Sequence, residues 1–167
     1  MTKQNQFYQS LNNVIRKAPK KDMMIIQGGC NAKIGPDAHE NWKGTVGKYG
    51  MGDTNERGRR LLEIARMNNK MIANMLYPHK TSRRYNWASP DDITHNQIDI
   101  ILVQKRFISG VVANRTKAFL GADIGRDHNL VMMSIKIRLR RIQKKSSGWI
   151  KYKLEKPRDP SKNESSR

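Results

Sequence analysis

Apolar positions along the chain fall first into a helix period and then into strand-length runs. Phe7, Tyr8, Leu11, Val14 and Ile15 recur at spacings of three and four, which predicts one apolar stripe on a helix over 7–17. Ala18 and Pro19 end it, because the residue before a proline is pushed out of the helical region. Lys20, Lys21 and Asp22 form a link, and residues 23–26 read as a short buried strand. That strand climbs to Gly28 and Gly29 and stops at a polar tip, Cys30 and Asn31. A helix and a strand joined by so short a link predict an α/β layered fold.

Residues 35–55 are a glycine-rich loop containing Trp42 and Tyr49. Asp53, Thr54, Asn55 and Glu56 are a helix-start signal, and the helix is expected over 56–68 with Leu61, Leu62, Ile64 and Ala65 facing inward. Asn68 and Asn69 stop it. Further strands are expected over 71–76, over 85–88 around Trp87, and over 98–103, where Asp99 stands inside an apolar run. A weaker strand is expected over 110–114, and a polar loop over 121–127. The last strand is expected over 130–139, with Ile135, Ile137 and Leu139 alternating against Lys136, Arg138 and Arg140 to give one buried and one cationic face. From about residue 142 the chain becomes polar and breaker-rich and reads as a mostly disordered basic tail.

The chain has 167 residues, the size of one domain. Its 33 Lys and Arg against 14 Asp and Glu leave a formal charge of +19, which asks for a polyanionic partner. Residues 136–167 contribute 12 of these cations against 3 acids. One cysteine, Cys30, excludes an internal disulfide framework and a multi-cysteine zinc site, and its place beside a strand fits a small apolar role. No apolar run reaches the roughly 18 residues of a membrane span. The polar start MTKQNQFYQS lacks a secretory apolar stretch, so an intracellular product with no membrane partner is expected.

Chemistry is expected where strand tips carry polar groups: Asn31, Asp99, and the pair Asp127 and His128. An acid beside an imidazole suits phosphate chemistry. The acid can hold a hard cation such as Mg²⁺, the ring can protonate a phosphoryl oxygen, and a second acid, Asp99, can fix the ring's tautomer. Plainer roles exist for the same residues. Asp127 and His128 also read as a cap, Asn31 as a turn residue, Trp87 as core, and His39, His79 and His95 as solvated loop residues. Asp99 is the stronger candidate, because a buried unpaired carboxylate is costly and wants a partner.

The ordered stations FYQSLNNVIRKAPKKDMMII, CNAKIG, NERGRRLLEIARMNN, WASPDD, NQIDIILV and GADIGRDHNLV resemble the endonuclease/exonuclease/phosphatase superfamily of Mg²⁺-dependent phosphodiesterases. Within it they are most similar to the endonuclease domain of RTE-type non-LTR retrotransposons. The resemblance runs from about Gln6 to Leu139. It implies part of that family's two-sheet α/β sandwich over residues 1–141, without the N-terminal half of the domain, followed by the tail at 142–167. It implies that Asn31 positions the scissile phosphate, that Asp99 orients His128, and that Asp127 is a metal contact. Nucleic-acid contacts are implied for Lys33, Arg83, Arg84, Trp87, Asn96 and Arg126, the last standing where the family has serine.

Two departures from the family pattern matter. The family's aspartate that activates the attacking water falls on Gly29, which has no side chain, and strand alternation turns Cys30 to the other face. The family's metal glutamate belongs to the absent half. Mg²⁺ is therefore implied by the resemblance but is not expected to bind stably. The expected function is a degenerate, truncated, inactive Mg²⁺-dependent endonuclease-like domain. The alternatives are a nucleic-acid-binding module without catalysis and a residual DNA endonuclease. The resemblance and the charge together imply DNA in preference to RNA, a nuclear location, and self-association through a sheet face left without its mate.

Overall fold

The computed structural model describes residues 3–119 and 127–138. The chain divides into two compact units, residues 1–137 and 138–167. Apart from Arg138 the second unit lies outside the described residues, as do the expected tail and most of the expected loop at 121–127.

Helix α1 (Lys3–Lys17) begins four residues earlier than expected, because its first turn is polar and offers no apolar period to read. Its buried stripe is also narrower. Tyr8 and Ile15 are buried and Leu11 packs beside them, whereas Phe7 and Val14, about a quarter-turn round the helix, are 54% and 66% exposed. After strand β1 (Ile25–Gly29) comes a short helix α2 (Ala38–Asn41), then helix α3 (Glu56–Met67). Leu61, Leu62, Ile64 and Ala65 of α3 are buried as their spacing predicts. Asn55 caps α3 by accepting the Gly58 N–H at 2.8 Å, and the same oxygen accepts the Lys33 N–H at 3.2 Å. A Cβ on Gly58 would lie 2.1 Å from the Lys33 carbonyl oxygen, so only glycine lets the loop after β1 rest on the start of the helix. At the other end of α3 the Asn68 amide donates to the Ile64 carbonyl and to Asn12, tying α3 to α1.

The remaining strands are β2 (Lys70–Ile72), β3 (Trp87–Ala88), β4 (His95–Asn96), β5 (Asp99–Gln104), β6 (Lys117–Phe119) and β7 (Leu130–Met132). Antiparallel pairing gives a three-stranded sheet in the order β1-β5-β2 and two separate two-stranded pairs, β3-β4 and β6-β7. One face of the main sheet, carrying Ile26, Ile72, Ile100 and Leu102, packs against α1 and α3. The opposite face, carrying Ile101 and Val103, packs against Phe107, Val111, Val131 and Ile135. This mixture of helices and antiparallel sheets is the α/β architecture the sequence implies, in part.

Several expected strands are corrected. The first is shifted from 23–26 to 25–29, and it is largely exposed because it forms the edge of its sheet; Ile25 is 41% exposed. The second stops at Ile72 and turns into a 3-10 turn, Ala73–Met75. The strand expected at 110–114 is replaced by the 3-10 turns Lys105–Gly110 and Ala113–Arg115, between which Val111 makes a single bridge to Ile135. The expected last strand shortens to β7, and Ile137 is 59% exposed; Leu139 and Arg140 lie outside the described residues. Strands β4 and β6 were not expected; each is too short to show a period. The expectation of a wholly uncovered sheet face is corrected too. Ile101 and Val103 are 3% and 0% exposed, and bare surface is concentrated on the edge strand β1.

One cation is enclosed at the helix-covered end of the sheet. Lys70 is 1% exposed, and burial, followed by the nearby charge of Arg106, holds its ammonium below the usual 10.5. A lysine whose folded-state pKa is lowered destabilises the fold while protonated, and the penalty fades as pH rises towards the unfolded value. Lys70→Met should therefore raise the unfolding free energy at pH 7 by about 1–3 kcal/mol. Denaturant titrations should show this gain closing between neutral and strongly alkaline pH. A gain that does not change with pH contradicts the assignment.

Candidate active site

The site grows from the pairing of β1 with β5. Gly29 faces Asp99 across the two strands, and the next pair outward is joined by the Cys30 N–H donating to the Ile98 carbonyl at 3.2 Å. Bonded and non-bonded pairs alternate in an antiparallel ladder, so Gly29 and Asp99 form a non-bonded pair. The N–H and C=O of Asp99 consequently point away from β1. Strand β2 does not reach that far, since its last pair is Ile72 with Leu102.

Two buried amide side chains take the missing strand's place. Asn74 accepts the Ile101 N–H at 3.1 Å and donates to the Asp99 carbonyl at 3.0 Å, as a peptide group would. Asn86, wholly buried, accepts the N–H groups of Ile98 and Asp99 at 2.8 and 3.0 Å and donates to the same Asp99 carbonyl at 2.9 Å. Gln97 in turn donates to the Asn74 carbonyl at 3.1 Å. The backbone of Asp99 is thus held on the side where the sheet has no strand.

His128 is brought to Asp99 by the same region. Trp87 and His128 form a single antiparallel bridge, the Ala88 N–H donates to the Asp127 carbonyl at 2.9 Å, and the Asn129 N–H donates to the Asn86 carbonyl at 2.9 Å. The imidazole Nδ1 lies 3.2 Å from Asp99 Oδ2. A carboxylate only accepts, so Nδ1–H donates, and in the neutral ring Nε2 carries the lone pair. Asp99 Oδ1 faces the other way, 3.0 Å from where a Cβ on Gly29 would stand. These groups line a cavity of about 460 Å³ together with Gln27, Asp127 and Leu130, a size usual for a ligand cleft. It opens on the face of the sheet opposite α1 and α3.

The other expected residues are scattered around this centre. Asp127 is exposed and lines the cavity. Asn31 sits exposed at the tip of β1 in a left-handed conformation (φ 47°), which asparagine tolerates, and does not line the cavity. Lys33 is half-buried behind the tip, Arg83 is exposed, and half-buried Arg84 donates to Thr81 within its own turn. Trp87 and Asn96 face each other in the β3-β4 hairpin, both half-buried. Arg126 lies outside the described residues. Cys30 packs against the helix-side core, and burial, then the charge of Asp99, push its thiol pKa up, which keeps it protonated. Asn74, Asn86 and Gln27 were missed by sequence reading. For the two asparagines the one available signal was an amide inside an apolar stretch.

The donors present do not fit Mg²⁺, which the family would use. Asp99 Oδ2 is committed to His128, Asp127 is exposed, and the described residues contain no group of three or more His, Cys, Asp or Glu that could hold an ion.

Comparison with known proteins places the architecture. No protein-family model matches the chain. Over 138 residues, 83% of the chain, it is 37% identical to craniofacial development protein 2 of Tragulus javanicus and of Bos taurus. The chain spans 23% and 22% of the length of these curated relatives. Among solved structures it is similar to the endonuclease domain of TRAS1, a telomere-specific non-LTR retrotransposon, with a TM-score of 0.53 and 16% identity, over 81% of this chain and 52% of that one. The fold is endonuclease-like, of the endonuclease/exonuclease/phosphatase type. At 16% identity the TRAS1 likeness is one of architecture. In this endonuclease-like frame the site lies at the Asp99 end of β5, with the amide clamp on one flank and β1 on the other.

The clamp predicts that Asn86→Ala lowers the unfolding free energy by about 2–4 kcal/mol, because it strands buried backbone groups. Asn86→Asp should be as damaging, since a carboxylate cannot donate to the Asp99 carbonyl. Urea denaturation checks both. A cost below about 0.5 kcal/mol, the range of surface substitutions, contradicts the clamp.

Proposed function

We propose that this chain is a degenerate endonuclease-like phosphodiesterase domain that retains the aspartate–histidine pair of a phosphate-handling site and is catalytically silent on its own residues. The observation that carries the reading is the glycine facing Asp99. Hydrolysis of a phosphodiester needs a group to prime water and anionic oxygens to hold a divalent cation. Asp99 is occupied in orienting His128, and Gly29 offers no atom for either task. Cys30 cannot stand in, because its thiol is protonated and packs on the helix side. Losing a general base costs roughly 10² to 10⁴ in rate, and losing one member of a cooperative set can cost more. In this reading His128 can still contact a phosphate in the cleft, Asn31 is a remnant of the phosphate-positioning residue outside that cavity, and Asp127 is a remnant of the metal site.

The charge of +19 favours a second, compatible reading, retained nucleic-acid binding without cutting, with DNA preferred to RNA and a nuclear location. Lys33, Arg83, Arg84, Trp87, Asn96 and Arg126 are its proposed contacts.

A plasmid-nicking assay with Mg²⁺ and an EDTA control tests the first reading. The expected result is no cleavage above that of the His128→Ala variant. Cleavage that EDTA quenches and His128→Ala abolishes would establish the residual endonuclease instead. Fluorescence anisotropy with a labelled duplex tests the second. Affinity should fall steeply with salt, and Arg83→Gln should reduce the slope of log K against log salt by about one. Binding that salt leaves unchanged contradicts it.

A further inference from the structure

A second cavity, of about 650 Å³, opens at the opposite end of β5, roughly 17 Å along the strand from Asp99. It is lined by five cations, Arg16, Lys20, Lys70, Lys105 and Arg106, and by no aspartate or glutamate. Surface cations alone would say little, but Lys70 is 99% buried, being 1% exposed, and among the described residues nothing accepts a hydrogen bond from its ammonium. Two helices end here, and the carbonyls of a helix C-terminus attract cations. Three of those carbonyls are already engaged, however. Val14 accepts from the Ala18 N–H, Ile64 from the N–H and side chain of Asn68, and Arg66 from the Asn69 N–H. The amide oxygen of Gln104, beside Lys70 across the strands, is also taken, by the Met24 N–H at 3.2 Å. Arg106 is held at the rim by the Asp22 carbonyl at 2.9 Å and lies over the Phe107 ring at 4.6 Å.

We propose that this cavity is a binding site for a phosphate group, with the buried Lys70 as its central ligand and Arg16 and Arg106 closing over it. A phosphate oxyanion supplies what the site lacks, several acceptor oxygens and negative charge against an ammonium with no acceptor among the described residues. The group can be free phosphate or a phosphate of a nucleic-acid backbone. The site is separate from the Asp99–His128 cleft and does not depend on how that cleft is read.

Isothermal titration calorimetry of the full chain with sodium phosphate, at ionic strength held constant with chloride, tests the assignment. Wild type should show saturable single-site binding, with a rise in Tm that chloride does not reproduce. Lys70→Met should weaken binding at least about tenfold, and Arg16→Gln with Arg106→Gln, both exposed changes that spare the core, should weaken it several-fold. The double variant tests the assignment without touching the buried residue. A labelled oligodeoxynucleotide separates the two sources. If phosphate displaces it and the double variant loses it, the site takes backbone phosphate. If phosphate binds while the oligonucleotide is unaffected, the site takes the free ion. Absence of saturable phosphate binding in wild type, or equal binding in wild type and the double variant, overturns the proposal.

Discussion

Asp99 sits where the main sheet runs out of strand. On one side β1 pairs with it through side-chain faces and offers its backbone nothing; on the other, β2 has already ended. Buried peptide groups left in that position would cost the fold dearly, and the amides of Asn74 and Asn86 meet the need by copying the donor and acceptor of an absent backbone. Because Asn86 also takes up the N–H of Asn129 through its carbonyl, one residue fixes both partners of the Asp99–His128 pair. The site is therefore tied to the sheet by polar satisfaction. Its geometry follows from buried amides on the segment between β2 and β4.

That arrangement separates two properties which an active phosphodiesterase combines. The orientation of His128 depends on Asp99 and the clamp, and these are intact. Priming of water and grip on a cation depend on further anionic oxygens, and Gly29 faces Asp99 with none. A carboxylate built at 29 would begin 3.0 Å from Asp99 Oδ1, so it would repel its neighbour and crowd it. The Asp99 side chain would have to give by a few tenths of an ångström to admit it.

Much of the helical layer was legible in the sequence, because Leu61, Leu62, Ile64 and Ala65 repeat with the helix period and Asn55 marks the start of α3. The strands were legible as apolar runs, but their ends were not. At 73–76 the run is apolar but for Asn74 while the backbone turns, and the partners of Asn74 explain why. Residues 117–119 form a strand by pairing with 130–132, a tertiary fact with no local period. At the site, Asp99 stood out as an acid inside an apolar run and His128 as its partner through a family resemblance. Asn86 did not stand out, since an amide between Tyr85 and Trp87 is only a weak sign of burial. Asn31 was expected beside the pair, yet it does not line the cavity that holds Asp99 and His128. Lys70 was invisible for the same reason as Asn86: a lysine at a strand start reads as solvated until a helix covers it.

The central claim is that Asp99 orients the His128 ring while a glycine, with no side chain to offer, faces the pair. Long-range ¹H–¹⁵N correlation spectra of the His128 ring, recorded where the ring is neutral, test it most directly. The account predicts a proton on Nδ1 and a bare Nε2 in wild type, with that preference lost in Asp99→Ala. A ring protonated on Nε2, or one that ignores the loss of Asp99, would contradict it.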